Sequence, residues 1–175
     1  PLGRSILGSE DSIAGLDAAM LRDWLATHYL AGSCVISAAG KVDHDALVAL
    51  VAARFGDLPA GTRPLAVPGR FAGDVRHDAR RFEQAHLTLG YLAPGHDGAD
   101  HDAALLFATA AGGGMSSRLF QELREARGLA YSIYASTTPY AETGLFSVYM
   151  ATAKRDAARA IALSETVLAQ CAAGL

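Results

Sequence analysis

A chain of 175 residues with 51% hydrophobic content is long enough to bury a sizeable core, in one domain or in two small ones. Its formal net charge of −3, with arginines scattered and no basic run, disfavours nucleic acid as a partner. No apolar stretch reaches the roughly 20 residues that a membrane-spanning helix needs, which is the pattern of a soluble globular chain without a membrane span.

Pro1-Leu2-Gly3-Arg4 lacks the layout of a signal peptide. The chain begins without Met and stops within a helical pattern, so it reads as a piece of a longer protein, and its compartment stays open: bacterial periplasm and cytoplasm both fit. The small polar residues from Gly3 to Ser12 suit an exposed leading segment. From Asp17, the residues Met20, Leu21, Trp24, Leu25 and His28 follow helical spacing. The apolar run from Ser33 to Ala39, centred on Val35 and Ile36 and ended by Gly40, is expected to be a buried strand. A second helix follows, with Asp43 as N-cap, a stripe of Leu47, Leu50, Val51, Arg54 and Phe55, and Gly56 at its close. Pro59, Gly61, Pro64 and Pro68 then break any amphipathic pattern and mark a linker.

Beyond Arg70 the chain is basic and polar until a strand near Phe82, in which Ala85, Leu87, Leu89 and Tyr91 alternate with His86, Thr88 and Gly90. His86 is placed opposite the core side. The segment from Pro94 to His101 reads as a loop, and the almost wholly apolar run from Asp102 to Ala111 as a buried helix. Strands are expected over Tyr131 to Thr137 and Leu145 to Thr152, joined as an antiparallel hairpin through Pro139 to Gly144. From Asp156 a last helix sets Ala157, Ala160, Ile161, Ser164, Leu168 and Cys171 on one face. Cys34 and Cys171 each sit in an apolar context and are expected to be ordinary buried thiols.

Between these elements lies the most informative stretch. Gly112, Gly113 and Gly114 carry no side chains and tolerate backbone angles that other residues avoid, so they suit a close approach by another peptide or by packed backbone. Ser116 and Ser117 follow as helix caps. Leu119, Phe120, Leu123 and Ala126 recur at helical spacing over 117–127, and Gly128 stands where a C-terminal cap is expected. The pattern then switches at once to alternation, so Arg124 and Tyr131 flank one tight helix-to-strand corner. Both side chains can hydrogen-bond a carbonyl oxygen.

The run from Gly112 to Tyr131 resembles the signature of the second, zinc-free half of pitrilysin-type metallopeptidases, a group that includes insulin-degrading enzyme and mitochondrial processing peptidase. The resemblance implies an α+β fold with an antiparallel-leaning sheet packed against helices, of the metallopeptidase-half type. It implies that residues 1–58 end a first, catalytic-type half, that 59–73 are a linker, and that 74–175 begin the zinc-free half. The family's substrate-holding arginine and tyrosine fall on Arg124 and Tyr131, with Gly112, Gly113 and Gly114 in the adjoining loop. The implied function is the substrate-holding side of a zinc-dependent peptidase chamber. Its partners would be a peptide or unfolded polypeptide and a zinc-bearing half on the same or another chain.

No catalytic residue and no zinc ligand is expected within this chain, because the water-activating His-x-x-Glu-His pattern is absent. The nearest approach is His96 and His101 with Asp97, Asp100 and Asp102, whose spacing and setting favour a solvated acidic loop. Taken without the resemblance, Arg124 reads as a solvated helix-end cation and Tyr131 as a packed strand aromatic. The alternative function is a non-catalytic partner subunit or structural module of the same fold, as in the core subunits of the respiratory cytochrome complex.

Overall fold

The computed structural model describes residues 2–62, 64, 67 and 69–174, and the chain divides into two compact units, Pro1–Val67 and Pro68–Leu175. Of the linker expected over 59–73, Arg63, Leu65, Ala66 and Pro68 lie outside the described residues, as does Pro1.

The first unit is built of helices α1 (Glu10–Ala14), α2 (Ala18–His28) and α3 (His44–Phe55). Each begins at a side chain that satisfies orphan backbone donors. Ser9 and Ser12 cap α1 reciprocally, Asp17 accepts from the N–H groups of Ala19 and Met20 at 2.8 Å, and Asp43 accepts from Ala46 at 2.8 Å. Local capping therefore defines these helices, while none of them contains a buried residue. On α2, Trp24 stacks on His28 with ring centroids 3.7 Å apart.

The buried strand expected over Ser33 to Ala39 is not formed. A 3₁₀ turn occupies Ala31–Ser33, and the following residues are unpaired and exposed, Val35 by 93%. An apolar run favours extended backbone, but a strand also needs a neighbouring ladder, and the first unit holds no other strand among its described residues. Cys34 is exposed for the same reason, contrary to expectation, whereas Cys171 is buried.

The second unit contains β1 (Gln84–Ala93), α4 (His101–Gly112), a π-helical segment (Phe120–Glu125), β2 (Ala130–Pro139), β3 (Gly144–Ala153) and α5 (Ala157–Ala173). Among the described residues the strands form one antiparallel sheet in the order β1-β3-β2, which leaves β1 and β2 at its edges. The register aligns Leu89 with Val148 and Val148 with Ala135, and two residues on it aligns Leu87, Met150 and Ile133. These rows point to one face, where they join Leu119, Leu123, Ala111, Ala160 and Cys171 in the core. Helices cover that face; His86, Thr88, Gly90 and Leu92 are exposed on the other. The result is the expected α+β arrangement, a sheet packed on one side by helices.

Two helices differ in detail from the pattern. Only Ala108, Ala111 and Gly112 of α4 are buried, and Leu105 and Leu106 are exposed, so a run of uniformly apolar residues buries one face only. On α5 the buried set is Ala160, Ser164, Val167, Leu168 and Cys171; the Ser164 hydroxyl is satisfied by donating to the Ala160 carbonyl at 2.8 Å.

Candidate functional site at the helix-to-strand corner

After α4 the chain turns through Gly113 to Ser117 and becomes helical at Arg118. From Phe120 the helix widens to π geometry, with the Ala126 N–H donating to the Gln121 carbonyl five residues back at 2.9 Å. Leu119 and Leu123 fill the core, and widening of this kind re-aims the side chains between them. Arg124 is turned outward, its side chain 46% exposed. Its guanidinium lies 4.7 Å from the Phe120 ring centroid and its Nε is 3.8 Å from the Glu125 carboxylate. Arg127, by contrast, is paired with Glu122 through both the carboxylate and the backbone carbonyl.

The helix stops at Gly128, whose φ of +59° is the left-handed conformation that favours glycine. Gly128 N–H donates to the Arg124 carbonyl at 3.0 Å and Leu129 N–H to the Leu123 carbonyl at 2.7 Å. The Gly128 bond is the five-to-one closure of an αL cap, and the wider Leu129 bond closes outside it, with Leu123 and Leu129 both buried beneath. Gly128 thus fills the capping role expected of it. Beyond the corner the β2–β3 register shifts between Ala130 and Ser132. Such an irregularity re-aims a side chain, and Tyr131 at this point is 63% exposed rather than packed in the core.

The three glycines divide into different roles. Gly112 is buried, and a Cβ there would lie 2.6 Å from the Ala135 Cβ and against its backbone, so its value is the close approach of α4 to β2. Gly113 and Gly114 are exposed, and nothing lies within 4 Å of a Cβ on Gly114. None of the three takes a positive φ, so unusual backbone angles are not what this run supplies. The serine caps are also absent: the helical segment has no side-chain cap, and the Ser117 hydroxyl is buried with no hydrogen-bond partner.

Sequence reasoning missed the group that secures the strand side of the corner. Thr152, buried on β3, donates its hydroxyl to the Leu129 carbonyl at 2.6 Å. Its only signal was a hydroxyl at an inward-facing strand position.

His96 and His101 do come together, with rings edge-on at 5.2 Å, and the His96 N–H donates to the Tyr140 carbonyl at 2.7 Å. No group of three or more His, Cys, Asp or Glu side chains suited to a metal is found among the described residues. The residues present do not fit a zinc centre. No helix among the described residues is long and apolar enough to cross a membrane.

The family model described as the peptidase M16 inactive domain matches residues 15–174. An uncharacterized zinc protease of Mycobacterium tuberculosis H37Rv is 46% identical over 158 residues, covering 86% of this chain and 36% of the relative. The solved structure of a peptidase M16 inactive domain from Pseudomonas fluorescens superposes with a TM-score of 0.81 at 28% identity, covering 93% of this chain and 40% of that one. A chain of Complex III2 from Candida albicans shares the fold, with a TM-score of 0.74 at 22% identity over 87% of this chain and 39% of that one. The present chain therefore spans well under half the length of the proteins it matches.

Proposed function

This chain belongs to the peptidase M16 family as its inactive domain, and from that premise we propose that it supplies the substrate-holding side of a zinc-dependent metallopeptidase. In this reading the metal and the water it activates are carried by a separate half, on the same chain or another. Residues 1–58 end that first half, 59–73 link, and 74–175 begin the half that holds the peptide. The substrate is a peptide or unfolded polypeptide, and nothing is hydrolysed by this chain alone.

The observation that carries the reading is the corner itself. An outward guanidinium on a π-helical segment and an outward phenol at a strand irregularity flank one αL-capped turn, whose backbone is fixed by buried leucines and by Thr152. Donors mounted on a fixed backbone start close to where a peptide carbonyl would lie, and they stabilise the oxyanion that develops there more than the neutral carbonyl. Neither is a base or a nucleophile. Arg124 and Tyr131 are thus the substrate-binding pair, with exposed Gly113 and Gly114 leaving room for a peptide and Gly112 serving packing.

The test is peptide cleavage by the longer polypeptide that contains this chain and a His-x-x-Glu-His half, comparing wild type with Arg124→Ala and Tyr131→Phe. Loss of one such donor is expected to lower kcat/KM by about 10²-fold with zinc content unchanged. Unchanged kcat/KM in both variants would remove these residues from the site. A longer polypeptide that neither binds zinc nor cleaves peptides would instead establish the partner-subunit reading.

A further inference from the structure

The helix-free face of the sheet carries no Asp, Glu, Lys or Arg at any of its strand positions. It carries a connected set of rings. Tyr149 on the central strand β3 lies opposite Tyr134 on β2 and opposite Thr88 on β1, while His86 lies opposite Ala151, one row away. Diagonal neighbours of this kind are within reach of long side chains, and the His86 Nδ1 and the Tyr149 hydroxyl are 2.8 Å apart. The Tyr149 and Tyr134 rings are 5.0 Å apart with planes 31° from parallel, and Phe82 meets His86 edge-on at 5.6 Å. An aromatic shelf therefore crosses all the strands. It is open to solvent, with Tyr134 52% and Phe82 55% exposed.

Tyr134 stands three residues beyond Tyr131 on the edge strand β2, and with the register shift between Ala130 and Ser132 both side chains are exposed away from the core. Resting on the substrate-holding reading, we propose that the His86–Tyr149–Tyr134 shelf selects an aromatic side chain of the extended peptide held at Arg124 and Tyr131. The uncharged surroundings decide the class. A ring face attracts cations too, but a substrate lysine or arginine would lose hydration here with no carboxylate on the face to offset it. A substrate carboxylate meets no guanidinium or ammonium group on the face either. An aromatic ring loses only apolar hydration and gains offset stacking. The hydrogen bond to His86 holds the Tyr149 ring before the peptide arrives, so less rotamer freedom remains to be lost on binding. His86 is accordingly a positioning residue that acts through Tyr149, and Tyr134 is the ring that touches the substrate.

The test titrates this chain with blocked pentapeptides Ala-Ala-Xaa-Ala-Ala, in which Xaa is Phe, Ala or Lys, followed by NMR of the tyrosine and histidine rings. The Phe peptide is expected to bind about five-fold tighter than the Ala peptide and to shift the Tyr134 and Tyr149 signals. Tyr134→Ser should bring the Phe-to-Ala ratio to about one without changing affinity for the Ala peptide. Tyr149→Phe, which frees the ring but keeps every ring of the shelf, and His86→Ala, which frees it and removes the outer ring, should both give intermediate ratios with an unchanged Tm. Equal binding of the Phe and Ala peptides, tightest binding of the Lys peptide, or a preference that survives Tyr134→Ser overturns the selection alone. Absence of binding by every peptide, or binding indifferent to Arg124→Ala and Tyr131→Phe, overturns the substrate-holding reading and the selection with it.

Discussion

Leu129 donates its backbone N–H across the helix end to the carbonyl of Leu123 at 2.7 Å, and both side chains are buried beneath that bond. The Leu129 carbonyl in turn accepts the Thr152 hydroxyl at 2.6 Å. Both polar groups of one backbone unit are thus fixed, one to the helix and one to the sheet. Arg124 and Tyr131 stand on either side of this tie, which makes the corner a rigid mount for two long, otherwise mobile side chains.

The mount depends on the left-handed conformation of Gly128. A Cβ there meets nothing within 4 Å, so the cost of Gly128→Ala is purely that of placing an L-residue at φ +59°. That cost is about 1 kcal/mol, which for a unit of this size lowers Tm by about 4–8 °C. Thermal unfolding followed by circular dichroism checks it; Gly128→Asn, which tolerates the conformation better, should recover part of the loss. An unchanged Tm for the alanine variant would mean that the corner has a second, equally stable closure.

Two buried hydroxyls should respond in opposite directions. Thr152→Val keeps the shape but leaves the Leu129 carbonyl without its donor, at a cost of about 1–3 kcal/mol. Ser117→Ala removes a buried hydroxyl that has no partner, so stability should hold or rise. Urea unfolding of the two variants beside wild type measures both signs. Destabilisation by Ser117→Ala would show that the hydroxyl is satisfied in solution.

The physical reason for what was legible is locality. Gly128 as a cap, the switch from helical to alternating periodicity at Leu129, and the β2–β3 hairpin rest on interactions within a few residues, which one stretch of sequence contains. The strand expected at Val35 and Ile36 failed because pairing is a property of the neighbour as well as the run. The exposure of Arg124 follows from its place opposite the apolar stripe, but the π geometry beneath it was not readable: it depends on how Leu119 and Leu123 seat in a core assembled from distant strands. The link from His86 to Tyr149 spans 63 positions and follows only from the register of β1 on β3.

The glycine run gives a sharper contrast than its composition suggests. Gly112→Ala forces a Cβ against Ala135 on β2, and neither partner has a flexible side chain with which to yield. Overpacking of this kind costs about 1–3 kcal/mol. Gly114→Ala enters open space and should leave Tm unchanged. If the exposed part of the run instead admits substrate backbone, Gly114→Ala will weaken peptide binding while Tm stays constant. Paired measurements of Tm and peptide affinity separate the packing role from the access role. Equal Tm values for the two variants would show that α4 moves away from β2 to relieve the contact.

Tyr91 predicts an alkaline limit to stability. Burial raises its pKa above the ordinary value near 10, and the charge of Glu165 on α5 raises it further. For a phenol whose folded pKa lies above its unfolded one, the neutral form is favoured in the fold. Its contribution is therefore fully present below the unfolded pKa of about 10 and is lost as pH rises from there through the folded pKa. Below that window Tyr91 and phenylalanine should behave alike in their pH response. Urea midpoints measured from pH 8 to pH 11 should fall more steeply for wild type than for Tyr91→Phe, with the difference opening only above about pH 10. Glu165→Gln should relieve the smaller, charge-dependent part of the slope and leave the part due to burial. Parallel curves for wild type and Tyr91→Phe across this range would show that Tyr91 ionises as readily in the folded protein as in the unfolded chain.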